Sequence, residues 1–398
     1  MRGATIARAL SEDQFAALVD ALAADPKRRG DLISLLREDH PHYAERGAAA
    51  IVRMRGWVLL AVARGEVPEN ALIFILEELD TGVDPYLVAA AARALRSYPH
   101  PTAALAPFVM RALGNIRYRD EPVSFANYGE YAISATHTSA VGELLATLRW
   151  LGPRARGILP ELEPLRAPNG GLSRKLRLDV DRALQAIRVP APADEPATAS
   201  CCGTAPNGAR SMSSWPSDSR RGAKQTESIT LQDHKGELIT FKEYFHGQPS
   251  IVVFFYTRCD NPLKCSLTVT KLARVQKLLE ERGLVDRIRT AAITYDPAFD
   301  LPQRLRVYGQ DRGVRMDAGH RMLRVIEENE NEVLRRHFEL GVNFVGSLVN
   351  RHRIEVYILD AEGRIALCLE RLSWDEEQVV TRTIEMLKEK ECGSGRQA

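Results

Sequence analysis

The chain has 398 residues, of which 45% are hydrophobic and 27% charged, a composition typical of globular proteins with two or three domains. It contains 54 basic and 52 acidic residues, and its arginines are scattered among acids, which excludes a basic stripe for nucleic-acid binding. No run of about 18 apolar residues occurs, so a membrane-spanning helix is not expected.

The N-terminal segment has the pattern of a helix. Phe15, Leu18 and Leu22 recur at helical spacing, and the segment lacks the apolar core and cleavage site of a secretory signal. Six cysteines in so long a chain do not indicate a disulfide framework. We therefore expect a cytoplasmic location, where thiols stay reduced.

Residues 1–188 are predicted to form one helix after another. Apolar residues recur at helical spacing in Ala48–Ala63, Glu69–Leu79 and Leu87–Tyr98, and Pro, Gly or Asp bounds these segments. This punctuation is typical of short helices joined by tight turns.

An internal repeat lies within this helical part. Arg93–Leu113 aligns with Ala146–Arg166 at one constant offset, with Leu, Arg and Pro at matching positions. A helix, a turn containing Pro and a second helix form one unit of a solenoid. The segment resembles a HEAT repeat, with an insertion around Asn115–Thr138, so residues 1–188 are predicted to form an all-α HEAT-like repeat domain.

Residues 189–228 are rich in Pro, Ala, Ser and Gly and have no apolar period, which predicts a flexible linker. The neighbouring thiols of Cys201 and Cys202 lie in this segment. Three interpretations remain open: they pass a soft metal to a site elsewhere, they form a mixed disulfide with that site, or they have no role.

Residues 229–391 combine strands and helices. SIVVFFY (Ser250–Tyr256) is typical of a strand buried on both faces. The further predicted elements are the hairpin ITLQDHKGELITF, helices at Leu267–Arg282, from about Pro302, at Glu330–Phe338 and at Asp375–Lys390, and strands at Ile288–Tyr295, Glu355–Asp360 and Arg364–Glu370. A βαβ start followed by an antiparallel pair predicts an α/β thioredoxin-like fold, with a tail over residues 392–398.

Cys259 and Cys265 lie on the loop between the first buried strand and its helix. In such folds this end of the strand faces a site outside the sheet, and a helix N-terminus favours the thiolate. A pair of thiolates either cycles through a disulfide or holds a soft metal such as Cu(I). Cys368 alternates with Ala366 and is expected in the core, whereas Cys392 is expected to have no role.

Three separated motifs resemble the Sco/SenC family. VFFYTRCDNPLKCSLTVTKL is similar to its signature of an aromatic strand, Tyr-Thr, two cysteines and a Thr-containing helix. AAITYDPAFDLPQRLRVYG places Asp296, Pro297 and Asp300 as in the family's second motif. NRHRIEVYILDAEGRI places His352 before a strand, as in the third. The resemblance covers roughly Thr230–Lys388.

The resemblance implies a copper-binding metallochaperone of the kind that assembles copper centres of respiratory oxidases. The metal ligands would be Cys259, Cys265 and His352, and the partner would be a client protein docked by the helical repeats. Five residues separate the cysteines here, whereas three do so in the family. Family members usually lie outside the cytoplasm on a membrane anchor, so the resemblance allows an extracytoplasmic location as well.

Two alternative functions remain. Cys259 and Cys265 would be catalytic in a thiol-disulfide oxidoreductase or peroxide reductase, with Cys259 as the attacking thiol. The segment GSLVNRHRIEV lacks the proline that thioredoxin-type enzymes place opposite their cysteines, which argues against this function. The other alternative is a non-catalytic scaffold that binds proteins only. His320 and His337 are weaker candidates for residues near the metal.

Overall fold

The computed structural model describes residues 10–126, 137–190 and 224–394. In the last of these ranges, side chains are described only up to residue 387. The chain divides into two compact units, Met1–Pro206 and Asn207–Ala398. Cys201 and Cys202 lie outside the described residues.

The N-terminal unit is helical, as predicted, and carries one short antiparallel strand pair. Its helices are α1 Glu12–Ala24, α2 Arg29–Ser34, α3 Ala48–Val62, α4 Glu69–Thr81, α5 Pro85–Leu95, α6 Ala106–Ile116, α7 Ala140–Leu151, α8 Leu159–Leu162 and α9 Arg174–Arg188, and its strands are β1 Pro122–Val123 and β2 Thr138–Ser139. Side-chain caps begin several of these helices; Ser11 forms a capping box with Gln14, and Asp84 accepts a hydrogen bond from the amide of Leu87. Helices α3, α5, α7 and α9 each contact the next in this series, and their apolar faces form the core.

The C-terminal unit has the mixed α/β architecture predicted for it. Its strands are β3 Thr230–Asp233, β4 Leu238–Thr240, β5 Ser250–Phe255, β6 Arg289–Thr294, β7 His320–Val325, β8 Val342–Val345, β9 Leu348–His352, β10 Glu355–Leu359 and β11 Ile365–Glu370. Its helices are α10 Phe241–Phe245, α11 Leu267–Glu281, α12 Pro302–Asp311, α13 Glu328–Phe338 and α14 Glu376–Ser394.

Seven strands form the main sheet in the order β11-β10-β5-β6-β7-β3-β4. Strands β5, β6 and β7 are parallel, and antiparallel strands complete both sides. Every residue of β5 is buried. Phe254 packs against Tyr295 and Phe338, and Phe255 stacks on Tyr308, because successive side chains point to opposite faces of the sheet.

The sequence did not predict the β1–β2 pair, the short helix α10, strand β7 or the β8–β9 hairpin. In β7, Arg321 and Arg324 interrupt the apolar pattern, although Arg321 pairs with Asp233 of the neighbouring strand β3. In the hairpin, Gly346 and Ser347 separate two short strands, and Gly346 has a positive φ of 55°. His352 is therefore the last residue of β9 as well as a residue shortly before β10.

None of the helices in the described part of the chain is both long and apolar enough to cross a bilayer.

Candidate metal centre

Two loop segments position the cysteines at the carboxyl end of β5. Cys259 lies four residues after the end of β5, and Cys265 lies in a π-helical turn, Pro262–Ser266, that leads into α11. The Asn261 side chain caps this turn by accepting a hydrogen bond from the amide of Leu263 at 2.9 Å. Single π-helical turns are frequent at functional sites.

Two buried carboxylates from the second sequence motif hold the start of the loop. Asp300 accepts hydrogen bonds from the Thr257 amide at 3.1 Å and from the Thr257 hydroxyl. Asp296 pairs with the guanidinium of Arg258. Burial raises the pKa of Asp300, although these hydrogen bonds oppose the shift. The loop that carries Cys259 is thus attached to the segment after β6.

Cys259, Cys265 and His352 lie together at this point. His352 Nε2 lies 3.5 Å from Cys259 Sγ and 3.3 Å from Cys265 Sγ, and the three ligand atoms are all within 4.8 Å of one another. Cys265 and His352 are only 1% and 4% exposed, whereas Cys259 is partly exposed. Among the described residues, no other group of His, Cys, Asp or Glu has the geometry of a metal site.

Hydrogen bonding fixes the tautomer of His352. Its Nδ1 lies 2.9 Å from the carbonyl oxygen of Arg353, which can only accept, so Nδ1 carries the proton. Nε2 is the ring nitrogen that faces the two sulfurs, and its lone pair would bind a metal ion held between them. The rings of Tyr256 and Tyr295 contact the imidazole, each at a centroid distance of 5.4 Å, and restrict its rotation.

The two thiols have opposite acidities. The hydrogen bond from the Cys265 thiol lowers the pKa of Cys259, and the neighbouring His352 lowers it further, although burial opposes both. Burial raises the pKa of Cys265, and the adjacent Cys259 thiolate raises it further. The pair therefore holds one thiolate and one proton, which a metal ion can replace.

A buried ionic network lies beneath the imidazole. Glu355 is fully buried and accepts hydrogen bonds from Arg353 Nε and Tyr295 Oη at 2.7 Å each, and from the amide of Gly341 at 2.6 Å. Arg353 also pairs with Glu370 at 2.7 Å. Burial raises the pKa of Glu355 despite these donors. Because Tyr295 also contacts His352, the network helps to hold the imidazole in place.

Sequence reasoning missed this network and also Lys264, whose Nζ donates a hydrogen bond to the carbonyl of His352 at 2.7 Å. The available signal was the placement of Arg353 and Glu355 in NRHRIEVYILD, immediately before and inside an apolar strand. Charged residues at such positions are buried only when they are paired.

The weaker candidates do not join the site. His320 opens β7, and its Nδ1 lies 2.9 Å from the hydroxyl of Thr290 near the start of β6, so it lies toward the opposite end of the parallel strands. The expectation that it lies near the metal is wrong.

His337 packs against Phe338 on α13. Cys368 is buried in β11, as expected for a core residue. The side chain of Cys392 lies outside the described residues.

Comparison with known proteins agrees with this geometry. Residues 217–388 match the family model described as SCO1/SenC. Among curated proteins, none matches the chain significantly.

Solved structures similar to the chain include a SCO1/SenC family lipoprotein from Bacillus anthracis, with 19% identity, 40% of this chain and 94% of that chain covered, and a TM-score of 0.36. ScoI of Bradyrhizobium japonicum with copper bound has 18% identity, 40% and 96% coverage, and a TM-score of 0.33. Yeast Sco1 with copper bound has 25% identity, 40% and 86% coverage, and a TM-score of 0.33. The family match and the order of the motifs agree: residues 217–388 of this chain are similar to the SCO1/SenC family.

Proposed function

We propose that the C-terminal unit binds one copper ion through Cys259, Cys265 and His352 and passes it to a client protein. The observation that carries this proposal is the approach of two sulfurs and one imidazole nitrogen within 4.8 Å of one another. Thiolates are soft ligands that suit Cu(I), and the imidazole completes a set that also accepts Cu(II).

The chemistry of the donor set fits copper. Zinc also binds Cys and His, but its sites normally have four ligands in a tetrahedral arrangement. The described residues supply three, with two of them buried. The match to the SCO1/SenC family model favours copper over zinc.

The partial exposure of Cys259 supports transfer. Metal exchange between proteins requires that an incoming ligand reach the ion. Cys265 and His352 are enclosed, whereas Cys259 is not. Cys259 would therefore be the ligand at which a client thiol or imidazole first contacts the ion.

The helical unit would be the docking surface for this client. The segments Arg93–Leu113 and Ala146–Arg166 each begin near the end of one helix and continue into a second one, α6 and α8 respectively. Side-by-side packing from α3 to α9 supports a HEAT-like arrangement, and such surfaces commonly bind proteins.

A thiol-disulfide oxidoreductase is the second candidate function. The lowered pKa of Cys259 and the raised pKa of Cys265 suit an attacking thiolate and a resolving thiol. However, dithiol exchange needs no imidazole nitrogen directed at both sulfurs, as His352 provides here. The geometry therefore favours metal binding.

We expect protein loaded with copper under reducing conditions to contain one copper per chain. His352→Ala should weaken Cu(II) binding by about 100-fold, because one ligand of a metal site contributes a few kcal/mol. Metal analysis and the visible thiolate-to-Cu(II) absorption measure both effects. His100→Ala, at an exposed histidine of the N-terminal unit, is the control. Unchanged Cu(II) binding by His352→Ala would contradict the proposed ligand set.

Copper binding should also depend on pH. Because the raised pKa of Cys265 keeps its proton in place near neutral pH, each ion that binds must displace that proton. The apparent Cu(I) affinity should therefore increase about tenfold per pH unit between about pH 6 and 8. Competition with a calibrated chelator measures the affinity, and calorimetry in two buffers counts the released proton. An affinity independent of pH would contradict the assigned protonation states.

A further inference from the structure

The spacer between the two cysteines has a structural role of its own. It contains two more residues than the family pattern, and its last three residues form the start of the π-helical turn Pro262–Ser266. Within this turn Lys264 is only 7% exposed, although lysine is among the residues least often buried. A buried ammonium normally has a partner of opposite or partial negative charge.

The partner lies at the metal site. Lys264 Nζ donates a hydrogen bond of 2.7 Å to the carbonyl oxygen of His352, 88 positions further along the chain. This contact joins the cysteine loop after β5 to the last residue of β9. The next carbonyl, that of Arg353, accepts from His352 Nδ1. Two consecutive carbonyls thus fix the backbone and the ring of the histidine ligand.

The positive charge of Lys264 also affects which oxidation state of copper binds more tightly. Two thiolates, a neutral imidazole and Cu(I) carry a total charge of −1, whereas the same ligands with Cu(II) are neutral. A buried positive charge beside the ligands stabilises the more negative state to a greater extent. Lys264 precedes Cys265 directly and contacts the backbone of His352, so its charge acts on the Cu(I) form.

We propose that Lys264 is a positioning residue that presets His352 toward the two thiols and, through its charge, favours Cu(I) over Cu(II). The inference rests on the proposed copper site. Lys264 belongs to the five-residue spacer, and its contact with His352 would give the longer spacer a function.

Lys264→Met removes the charge and the donor while keeping a similar length. We expect the ratio of Cu(I) to Cu(II) affinity to fall about tenfold in this variant, which is about 59 mV in the potential of a one-electron couple. Lys264→Arg retains the charge and should keep the wild-type ratio. Lys277→Met, at an exposed lysine of α11, is the matched control.

A second measurement needs no copper. The ring nitrogen shifts of His352 in the metal-free full-length protein should show a single Nδ1–H tautomer in the wild type. In Lys264→Met the two tautomers should be averaged, because the backbone of the ligand is no longer held. If Lys264→Met does not fold, Lys264→Gln, which is neutral and still carries an N–H donor, replaces it with the same expectation for the affinity ratio.

The outcomes separate the two proposals. A wild-type protein that binds no copper would refute the proposed function, and the tautomer comparison would still decide whether Lys264 positions His352. Normal binding with the same affinity ratio and tautomer in wild type and Lys264→Met would overturn the role of Lys264. Equal shifts in Lys264→Met and Lys264→Arg would exclude charge as the cause and overturn it as well.

Discussion

Cys265→Ala should lower the affinity for Cu(I) by roughly 100–1,000-fold. Structural zinc sites with four ligands bind with about 10–16 kcal/mol, or roughly 2.5–4 kcal/mol for each ligand, and 1.4 kcal/mol is a factor of ten. Cu(I) has a strong preference for thiolates, so the upper end of this range applies. Competition with a Cu(I) chelator in the full-length protein measures the loss.

The same variant should change the remaining thiol. The hydrogen bond from the Cys265 thiol is the main cause of the lowered pKa of Cys259. Without it, the pKa of Cys259 should rise, and its reaction with alkylating reagents near neutral pH should slow. Cys368→Ala is the matched control, since Cys368 is buried in the same unit but lies in β11. Wild-type Cu(I) affinity in Cys265→Ala would show that this thiol is not a ligand.

The elements that create the site could be predicted from the sequence. The apolar run of β5 indicates a central strand because only a strand covered on both faces tolerates so many apolar residues. Cys259 and Cys265 follow from their place on the loop after this strand. His352, in contrast, could be identified only because NRHRIEVYILDAEGRI resembles a Sco/SenC motif.

The supporting interactions could not be predicted in this way. Lys264, Arg353 and Glu355 are charged, and a charged residue in a sequence is by default assigned to the surface. Arg353 and Glu355 pair within two positions, but Lys264 donates to the carbonyl of His352, 88 positions away, and the sequence pattern carries no record of that long-range contact. Strand β7 was missed for the same reason, since the arginine at position 321 is matched by an acid on β3.

Arg353→Met should destabilise the C-terminal unit by about 3–5 kcal/mol, because it leaves the buried carboxylate of Glu355 without its guanidinium partner. The amide of Gly341 and the hydroxyl of Tyr295 still donate to Glu355, but neither is charged. Hydrogen exchange of the β5 and β10 amides in the full-length chain reports the free energy of unfolding of this unit. Arg382→Met, which breaks an exposed pair with Glu385 in α14, should cost less than about 1 kcal/mol.

The pH dependence of this loss identifies its cause. Burial raises the folded-state pKa of Glu355 above its unfolded value, so the folded protein holds a proton that the unfolded chain releases first. Stability therefore falls as the pH rises through the window between the two values, and removing Arg353 widens that window. The loss in Arg353→Met should be small near pH 4 and reach its full size near neutral pH. The double variant Arg353→Met, Glu355→Gln should recover most of the stability, because it removes both charges together. If the double variant is as unstable as Arg353→Met, or if the loss of stability does not depend on pH, the charge of Arg353 is not the cause. The packing of its aliphatic stem would then be what stabilises this unit.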